Sequence, residues 1–198
     1  MSKVDIGTLY VVSTPIGNLS DISGRALEIL KSVDYILCED TRVTKKILNK
    51  YNISIKMISY NEKNEINKIS KIISDLNNNI DIALVSDAGT PCISDPGFRL
   101  ISYIKKNSLD VNVLPIPGAT AGVAALSVSG LPSDSFFFVG FLPKKKGRET
   151  KFKQLKKYFI LLTLILILAC SSNEKKVDKN MIITEIGIEK ELTFDEYI

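Results

Sequence analysis

The chain has 198 residues, of which 45% are hydrophobic and 24% charged, so it is long enough to bury a core and is typical of a globular protein. It contains no histidine, which excludes the commonest general base and the commonest metal ligand. Cys38, Cys92 and Cys170 lie far apart, so we expect no metal site, no disulfide framework and a cytoplasmic location. The net charge of +4 permits a nucleic-acid partner without requiring one.

Strands alternate with helices along the first two thirds of the chain. Apolar, β-branched runs predict strands, and apolar residues at helical spacing predict helices. The predicted strands are residues 8–13, 35–38, 56–59, 80–85 and 111–114. The predicted helices are residues 21–31, 41–50, 62–77, 98–106 and 119–130. This alternation predicts an α/β fold with a mostly parallel sheet and helices on its faces.

The start of the helix at residues 98–106 carries capping signals. Proline is favoured in the first turn of a helix, and serine and aspartate are favoured as the residue that caps it. We therefore expect Pro96 in the first turn and Asp95 or Ser94 as the cap.

The character of the sequence changes after Gly130. Residues 135–141 are rich in aromatic residues and predict a strand, as do residues 158–169 and 181–186. We expect one domain over residues 1–128 and a second over residues 129–198. The apolar run that ends at Cys170 resembles a lipoprotein signal, but it is shorter than the roughly 20 residues that span a bilayer. A buried strand is the favoured interpretation, and we expect no membrane association.

Three loops rich in glycine and proline follow predicted strands directly. They read STPIGN (residues 13–18), SDAGTPCISDPG (86–97) and PIPGATA (115–121). Any one of them could be a simple turn. The carboxyl ends of parallel strands share one edge of the sheet, however, and this edge is where open α/β folds bind ligands. Three such loops, one of them longer than the about 2–6 residues of an ordinary connection, predict a pocket at that edge.

The residues of these loops restrict the ligand. The chain lacks the glycine-lysine motif of a P-loop and the G-x-G-x-x-G pattern of dinucleotide-binding folds. The second and third loops contain no lysine or arginine, which a phosphate site would favour. They offer backbone carbonyls, hydroxyls and the carboxylates of Asp87 and Asp95, which suit a neutral or cationic ligand. Asp95 could instead cap the next helix, so Asp87 is the stronger ligand candidate.

Four segments resemble the ribosomal RNA small subunit methyltransferase I family of the tetrapyrrole-methylase superfamily. They are LYVVSTPIGNLSDISGRALEIL, CEDTR, LVSDAGTPCISDPGFRL and PIPGATAGVAALSVSGLPSDSFFFVGFLPKKKGR. The resemblance implies a class III methyltransferase fold with a second α/β domain, here shortened, and a homodimer. It also implies that S-adenosylmethionine donates a methyl group to the ribose 2′-hydroxyl of a cytidine in the decoding region of 16S rRNA. A cationic methyl donor agrees with the ligand that the loops predict.

The resemblance also implies roles for particular residues. Glu39 or Asp40 would accept or orient the proton of the 2′-hydroxyl, although both could simply end a strand with a cap and a salt bridge. Arg42 would contact an RNA phosphate. The basic cluster would follow the RNA backbone, unless it is only a solvated linker, and comprises Lys144, Lys145, Lys146 and Arg148. The residues expected to contact the cofactor are Pro15, Gly17, Asp87, Ala88, Gly89, Ile93, Ser94, Pro117, Gly118, Ala119 and Thr120.

The chain departs from the family after its basic cluster. The family carries a YESPHR-like segment there, and this chain has TLILILACSSN instead. Two alternatives therefore stay open: a cofactor-binding or dimerising module without catalysis, and a methyltransferase that acts on a tetrapyrrole carbon. The sequence alone identifies neither the general base nor the modified nucleotide.

Overall fold

All the strands of the sheet run parallel to one another. The computed structural model describes residues 6–107, 109–143 and 146–156. The sheet has the order β3-β2-β4-β1-β5, so β5 lies at one side and β3 at the other. The strands are β1 (Thr8–Val12), β2 (Tyr35–Cys38), β3 (Lys56–Ser59), β4 (Ile82–Val85) and β5 (Asn112–Ile116).

Helices connect successive strands. A short 3-10 turn, Leu19–Asp21, precedes the first of them, and residues 148–156 are also helical. The helices are α1 (Gly24–Ser32), α2 (Thr41–Lys50), α3 (Glu65–Asn77), α4 (Phe98–Lys106) and α5 (Ala121–Val128).

Two hydrophobic clusters cover the two faces of the sheet. One contains α1 and α2, with Leu30 and Ile47 fully buried or nearly so, and the other contains α3 and α4, with Ile72 and Leu100. The chain moves across the sheet from β1 through β2 to β3 and then returns through β4 to β5. Because crossovers between parallel strands are right-handed, this reversal of direction places α3 and α4 on the face opposite to α1 and α2. The inner strands β2 and β4 are buried at every residue, as expected for a parallel sheet covered by helices, whereas the edge strands β3 and β5 are partly exposed. The predicted fold class is confirmed.

Several predicted boundaries agree with the structure and others shift. The limits of β2, α2, β3 and α4 are as predicted, whereas α3 begins at Glu65 instead of residue 62. A turn in which the Asn64 side chain accepts a hydrogen bond from the Asn61 N–H delays its start. β5 extends to Ile116, two residues past the prediction.

The strand predicted at residues 135–141 is wrong. This segment has no regular secondary structure and pairs with no strand in the described part of the chain. Its phenylalanines are exposed, so the aromatic content that suggested a strand does not correspond to a buried face.

The chain divides into two units, Met1–Ala125 and Leu126–Ile198. The division of the chain after residue 128 and the α/β character of the second domain stay predictions. The strands predicted at residues 158–169 and 181–186, and the segment that ends at Cys170, lie outside the described residues.

Candidate active site

The loops after β1 and β4 are joined by a pair of backbone hydrogen bonds. We call residues 13–18 the β1 loop and residues 86–97 the β4 loop. The Thr14 N–H donates to the Gly89 carbonyl at 2.9 Å, and the Gly89 N–H donates back to the Thr14 carbonyl at 3.1 Å. Gly89 has a φ of +86°, which a side chain would strain. The Thr14 hydroxyl also donates to the Ser86 carbonyl at 3.1 Å.

Side-chain hydroxyls connect the loop after β5, residues 117–120, to the other two. We call it the β5 loop. The Thr90 Oγ1 lies 3.1 Å from the Ser13 Oγ, 3.1 Å from the Ala119 carbonyl oxygen and 2.9 Å from the Thr120 Oγ1. At Gly118, a Cβ would lie 2.7 Å from the Ser13 Cβ, so the backbone of the β5 loop packs directly on the end of β1. The prediction that the three loops meet at one edge of the sheet is confirmed.

The second half of the β4 loop follows an unusual backbone path. Cys92 and Ser94 have φ values of 70° and 63°, and Gly97 has a φ of +116°. A Cβ on Gly97 would lie 2.6 Å from the Leu84 Cδ2 and 2.8 Å from the Cys92 Sγ. Burial raises the pKa of the Cys92 thiol to about 11, with Asp95 adding to the shift, so this thiol is protonated at neutral pH.

The predicted cap of α4 is wrong. The N-cap residue is Gly97, which has no side chain to cap the helix, so neither Ser94 nor Asp95 is the cap and Pro96 lies before the helix. A carboxylate from another helix takes this place: the Glu65 Oε2 accepts a hydrogen bond from the Gly97 N–H at 3.4 Å. Asp95 is therefore available to the site.

Acidic residues line a cleft of about 510 Å³ at the ends of β2, β3 and β4. Asp87 connects the β4 loop to this cleft, because its Oδ1 accepts a hydrogen bond from the Asp40 N–H at 3.0 Å. The lining residues are Glu39, Asp40, Thr41, Arg42, Ser59, Asn61, Glu62, Lys63 and Asp87.

Asp40 and Glu39 differ in their electrostatic surroundings. The Arg42 guanidinium donates to Asp40 from Nε at 3.0 Å, and the Arg42 N–H donates at 2.8 Å, which makes Asp40 the N-cap of α2. These hydrogen bonds lower the pKa of Asp40 to about 2. Burial raises the pKa of Glu39, and the nearby carboxylates of Asp87 and Asp95 raise it further.

Sequence reasoning missed several residues at this edge. Asn61 and Glu62 follow β3 and line the acidic cleft, and the rule that ligands bind at the carboxyl ends of strands would have indicated them. Asp95 lies beside the site, because residues of the β4 loop affect its pKa. Burial raises the pKa of Asp95, a hydrogen bond with Ser86 lowers it, and the negative charge of Asp87 raises it. Thr90 has no local sequence signal, because its partners lie 77 and 29–30 residues away.

The predicted site residues fall into distinct groups. The cofactor candidates all lie in the three joined loops, where Pro15 and Gly89 are buried and Gly17, Ile93 and Pro117 are exposed. Glu39, Asp40 and Arg42 lie together in the acidic cleft.

The predicted RNA-binding residues belong to both units of the chain. The Arg42 side chain is 88% exposed, although it is paired with Asp40. Lys146 and Arg148 are exposed residues of the second unit, and the Arg148 guanidinium lies 5.9 Å from the centre of the Phe152 ring. Lys144 and Lys145 lie outside the described residues.

The described residues contain neither a cluster of metal ligands nor a helix suited to a membrane. No group of three or more histidine, cysteine or acidic side chains is placed to hold a metal ion in the described ranges. Within the same ranges, none of the helices combines the length and apolar character needed to cross a membrane.

Comparison with known proteins is consistent with this geometry. Residues 8–186 match the family model of the tetrapyrrole (corrin/porphyrin) methylases. Two solved structures resemble the fold with a TM-score of 0.50 each. A putative cobalamin synthesis related protein of Corynebacterium diphtheriae is 18% identical over 63% of this chain and 58% of that chain. A conserved hypothetical protein of Aeropyrum pernix K1 is 19% identical over 64% of this chain and 44% of that chain.

Curated relatives are much more similar in sequence. The ribosomal RNA small subunit methyltransferase I of Halalkalibacterium halodurans is 53% identical over 73% of this chain and 50% of its own length. The protein of that name from Vibrio cholerae is 51% identical over 75% of this chain and 51% of its own length, and that from Thermotoga maritima is 46% identical over 77% and 68%. The chain thus spans about half the length of the first two of these relatives. The chain belongs to the tetrapyrrole methylase family and, within it, to the ribosomal RNA small subunit methyltransferase I family.

Proposed function

We propose that the protein is an S-adenosylmethionine-dependent methyltransferase that methylates the ribose 2′-hydroxyl of a cytidine in the decoding region of 16S rRNA. The observation that carries the proposal is the joining of the three loops beside the acidic cleft. The joined loops would hold the methyl donor, and the cleft would receive the ribose. The names of the curated relatives support ribosomal RNA of the small subunit as the substrate.

The electrostatics of the loops favour a cationic donor. S-adenosylmethionine supplies a methyl group on a positively charged sulfur. The β4 and β5 loops contain no lysine or arginine, and Asp87 and Asp95 add negative charge. At about 5 Å and an effective dielectric near 20, one carboxylate and one such cation attract by about 3 kcal/mol. The loops would therefore bind the donor through carbonyls, hydroxyls and carboxylates.

Backbone rigidity supports the same role. The paired backbone hydrogen bonds of Thr14 and Gly89 and the packing of Gly118 on Ser13 hold the loops in place without a ligand. A preformed site reduces the entropy lost on binding. Alignment of donor and acceptor can contribute about 7–11 kcal/mol to such a transfer, so the reaction requires no histidine.

Glu39 is the residue we propose as the general base. Its raised pKa makes its carboxylate the better proton acceptor, and it lies in the cleft with Asp87. Asp40 is a weak base because its pKa is about 2 and its oxygens are occupied by Arg42 and the start of α2. Glu39 would accept the proton of the 2′-hydroxyl while the ribose oxygen bonds to the methyl carbon. The bond from that carbon to the donor sulfur would break, and its electron pair would leave with the sulfur as a neutral thioether.

RNA contacts and assembly are further parts of the proposal. Arg42 would contact a phosphate with the guanidinium edge that Asp40 leaves free, and Lys144, Lys145, Lys146 and Arg148 would follow the backbone of the RNA. Methylation of the small ribosomal subunit would take place in the cytoplasm. The family resemblance further suggests a homodimer, which sedimentation analysis would test.

The first experiment measures donor binding. Isothermal titration of the chain with S-adenosylmethionine should give saturable binding, and Asp87→Asn should weaken it about tenfold, which is about 1.4 kcal/mol. Asparagine keeps an oxygen that can accept from the Asp40 N–H, so the variant removes charge with little change of shape. Asp110→Asn is the matched control, because Asp110 is exposed and lies before β5, at the opposite edge of the sheet. Equal affinity of the two variants would remove Asp87 from the site.

The second experiment identifies the acceptor and the base. Labelled donor is incubated with 30S subunits that lack the modification, and the RNA is digested and analysed for 2′-O-methylcytidine. Glu39→Gln should lower turnover at least about 100-fold and Asp40→Asn much less. Methylation of a porphyrinoid in place of RNA would refute the proposed substrate, and donor binding without turnover on either acceptor would indicate a binding module.

A further inference from the structure

The Thr90 hydroxyl lies where the three loops meet, and its hydrogen bonds have only one consistent arrangement. A hydroxyl donates one hydrogen and accepts up to two. The Ala119 carbonyl can only accept, so the single Thr90 proton must go to it. The hydroxyls of Ser13 and Thr120, at 3.1 and 2.9 Å, must then both donate to the Thr90 oxygen. The hydrogen-bonding capacity of Thr90 is fully used.

The contacts of Thr90 differ from the other contacts between the loops. The β1 and β4 loops are also joined by the backbone pair of Thr14 and Gly89, which does not depend on any side chain. Among the described residues, the hydrogen bonds between the β4 and β5 loops all involve the Thr90 hydroxyl. Loss of this hydroxyl should therefore loosen the β5 loop from the β4 loop while the β1 and β4 loops stay joined.

We propose that Thr90 is a positioning residue that fixes the β5 loop against the β4 loop and so preforms the donor site. This inference rests on the proposed function, because it concerns the geometry of the same site. Thr90 acts through Ala119 and Thr120, and direct contact with the donor is no part of its role. A fixed β5 loop lowers the entropic cost of donor binding.

The test compares Thr90→Val, which replaces the hydroxyl by a methyl group of similar size, with Thr90→Ser, which keeps it. Titration with S-adenosylmethionine should show affinity about tenfold weaker for Thr90→Val and close to the parent for Thr90→Ser. Thr44→Val is the matched control, since Thr44 is a buried threonine of α2 and its hydroxyl makes no hydrogen bond to the three loops in the described part of the chain. It should leave the affinity unchanged.

A second measurement needs no donor. The Ala124 N–H donates to the Thr120 carbonyl at 2.9 Å, whereas the Thr14 and Gly89 N–H groups donate to each other's carbonyls. Hydrogen exchange in Thr90→Val should be several-fold faster at Ala124 and unchanged at Thr14 and Gly89. Thr90→Ser should restore slow exchange at Ala124.

The outcomes separate this inference from the proposed function. Failure of the parent chain to bind S-adenosylmethionine would refute the proposed donor, and the exchange of Ala124 would still test Thr90. Normal binding by the parent with unchanged affinity and unchanged Ala124 exchange in Thr90→Val would overturn the role of Thr90. Equal acceleration at Ala124, Thr14 and Gly89 would overturn it as well, because that pattern indicates general loosening. If Thr90→Val does not fold, Thr120→Val removes one arm of the network, and unchanged Ala124 exchange in that variant would contradict the inference.

Discussion

Replacement of Glu65 by alanine should destabilise the protein through the β4 loop. The Glu65 carboxylate is 5% exposed; one oxygen accepts from the Gly97 N–H, and the other lies 3.1 Å from the Arg99 Nε. A hydrogen bond to a charged group contributes about 1.5–3 kcal/mol. The loss of a negative charge at the start of α4 adds about 0.3–1 kcal/mol.

The exposure of Arg99 limits the total loss. Removing one member of a fully buried ion pair costs about 3–5 kcal/mol, because the other charge is left without water or a partner. The Arg99 side chain is 56% exposed and can be solvated again, so this larger cost does not apply. We therefore expect Glu65→Ala to lower the free energy of unfolding by about 2–3 kcal/mol. Glu65→Gln should lower it by about 1 kcal/mol, since glutamine keeps an oxygen for the Gly97 N–H.

Urea unfolding followed by circular dichroism measures both variants. Glu28→Ala is the control, because Glu28 is an exposed residue of α1 and its replacement should change the free energy by no more than about 0.5 kcal/mol. If Glu65→Ala is no less stable than Glu28→Ala, the carboxylate does not anchor the β4 loop. If Glu65→Gln is as unstable as Glu65→Ala, the hydrogen bond to Gly97 is not the source of the effect.

Three further predictions concern other contacts. Tyr35→Phe should cost about 1.5–3 kcal/mol in urea unfolding, because the buried Tyr35 hydroxyl donates to the Asp75 Oδ2 at 3.0 Å; a loss below 0.5 kcal/mol would contradict this. Gly118→Ala should cost about 1–3 kcal/mol and weaken donor binding, because the new Cβ would lie 2.7 Å from the Ser13 Cβ; unchanged stability and affinity would show that the loop adjusts freely. Asp40 has a folded-state pKa lowered from 3.8 to about 2, so its contribution to stability is complete above pH 4 and disappears as the pH falls through 2. Carboxyl NMR should give a midpoint near 2, and a midpoint near 3.8 would contradict the contact with the guanidinium.

The regular part of the fold was predictable because it depends on local pattern. Parallel strands buried on both faces appear as short apolar runs, and β2, which is buried at every residue, begins and ends where its run does. The helices that cover them carry apolar residues at helical spacing, and α2 and α4 match the prediction. Residues 135–141 show the limit of this reasoning, since aromatic content alone cannot supply the neighbouring strand that a sheet requires.

The position of the site was predictable, but its internal contacts were not. Glycine and proline after three of the strands indicate loops at one edge, because topology brings the carboxyl ends of parallel strands together. The partners of Thr90 in those loops lie up to 77 residues away, and no local rule indicates which hydroxyls will meet. Asn61 and Glu62 were accessible to the same reasoning and were missed because β3 ends without glycine or proline.

Glu65 and Asp95 show why a local rule can assign the wrong role to a residue. Capping preferences describe the residues next to a helix and therefore favoured Asp95 at the start of α4. In the structure a carboxylate from α3 reaches the same N-terminus, and Gly97 adopts a backbone conformation that leaves Asp95 facing Ser86 and Asp87. Glu65, which is distant in sequence, thus stabilises the helix, and the adjacent Asp95 adds negative charge beside the loops. This arrangement would favour the proposed cationic donor, because a carboxylate engaged in capping would have its charge largely compensated by the helix N–H groups.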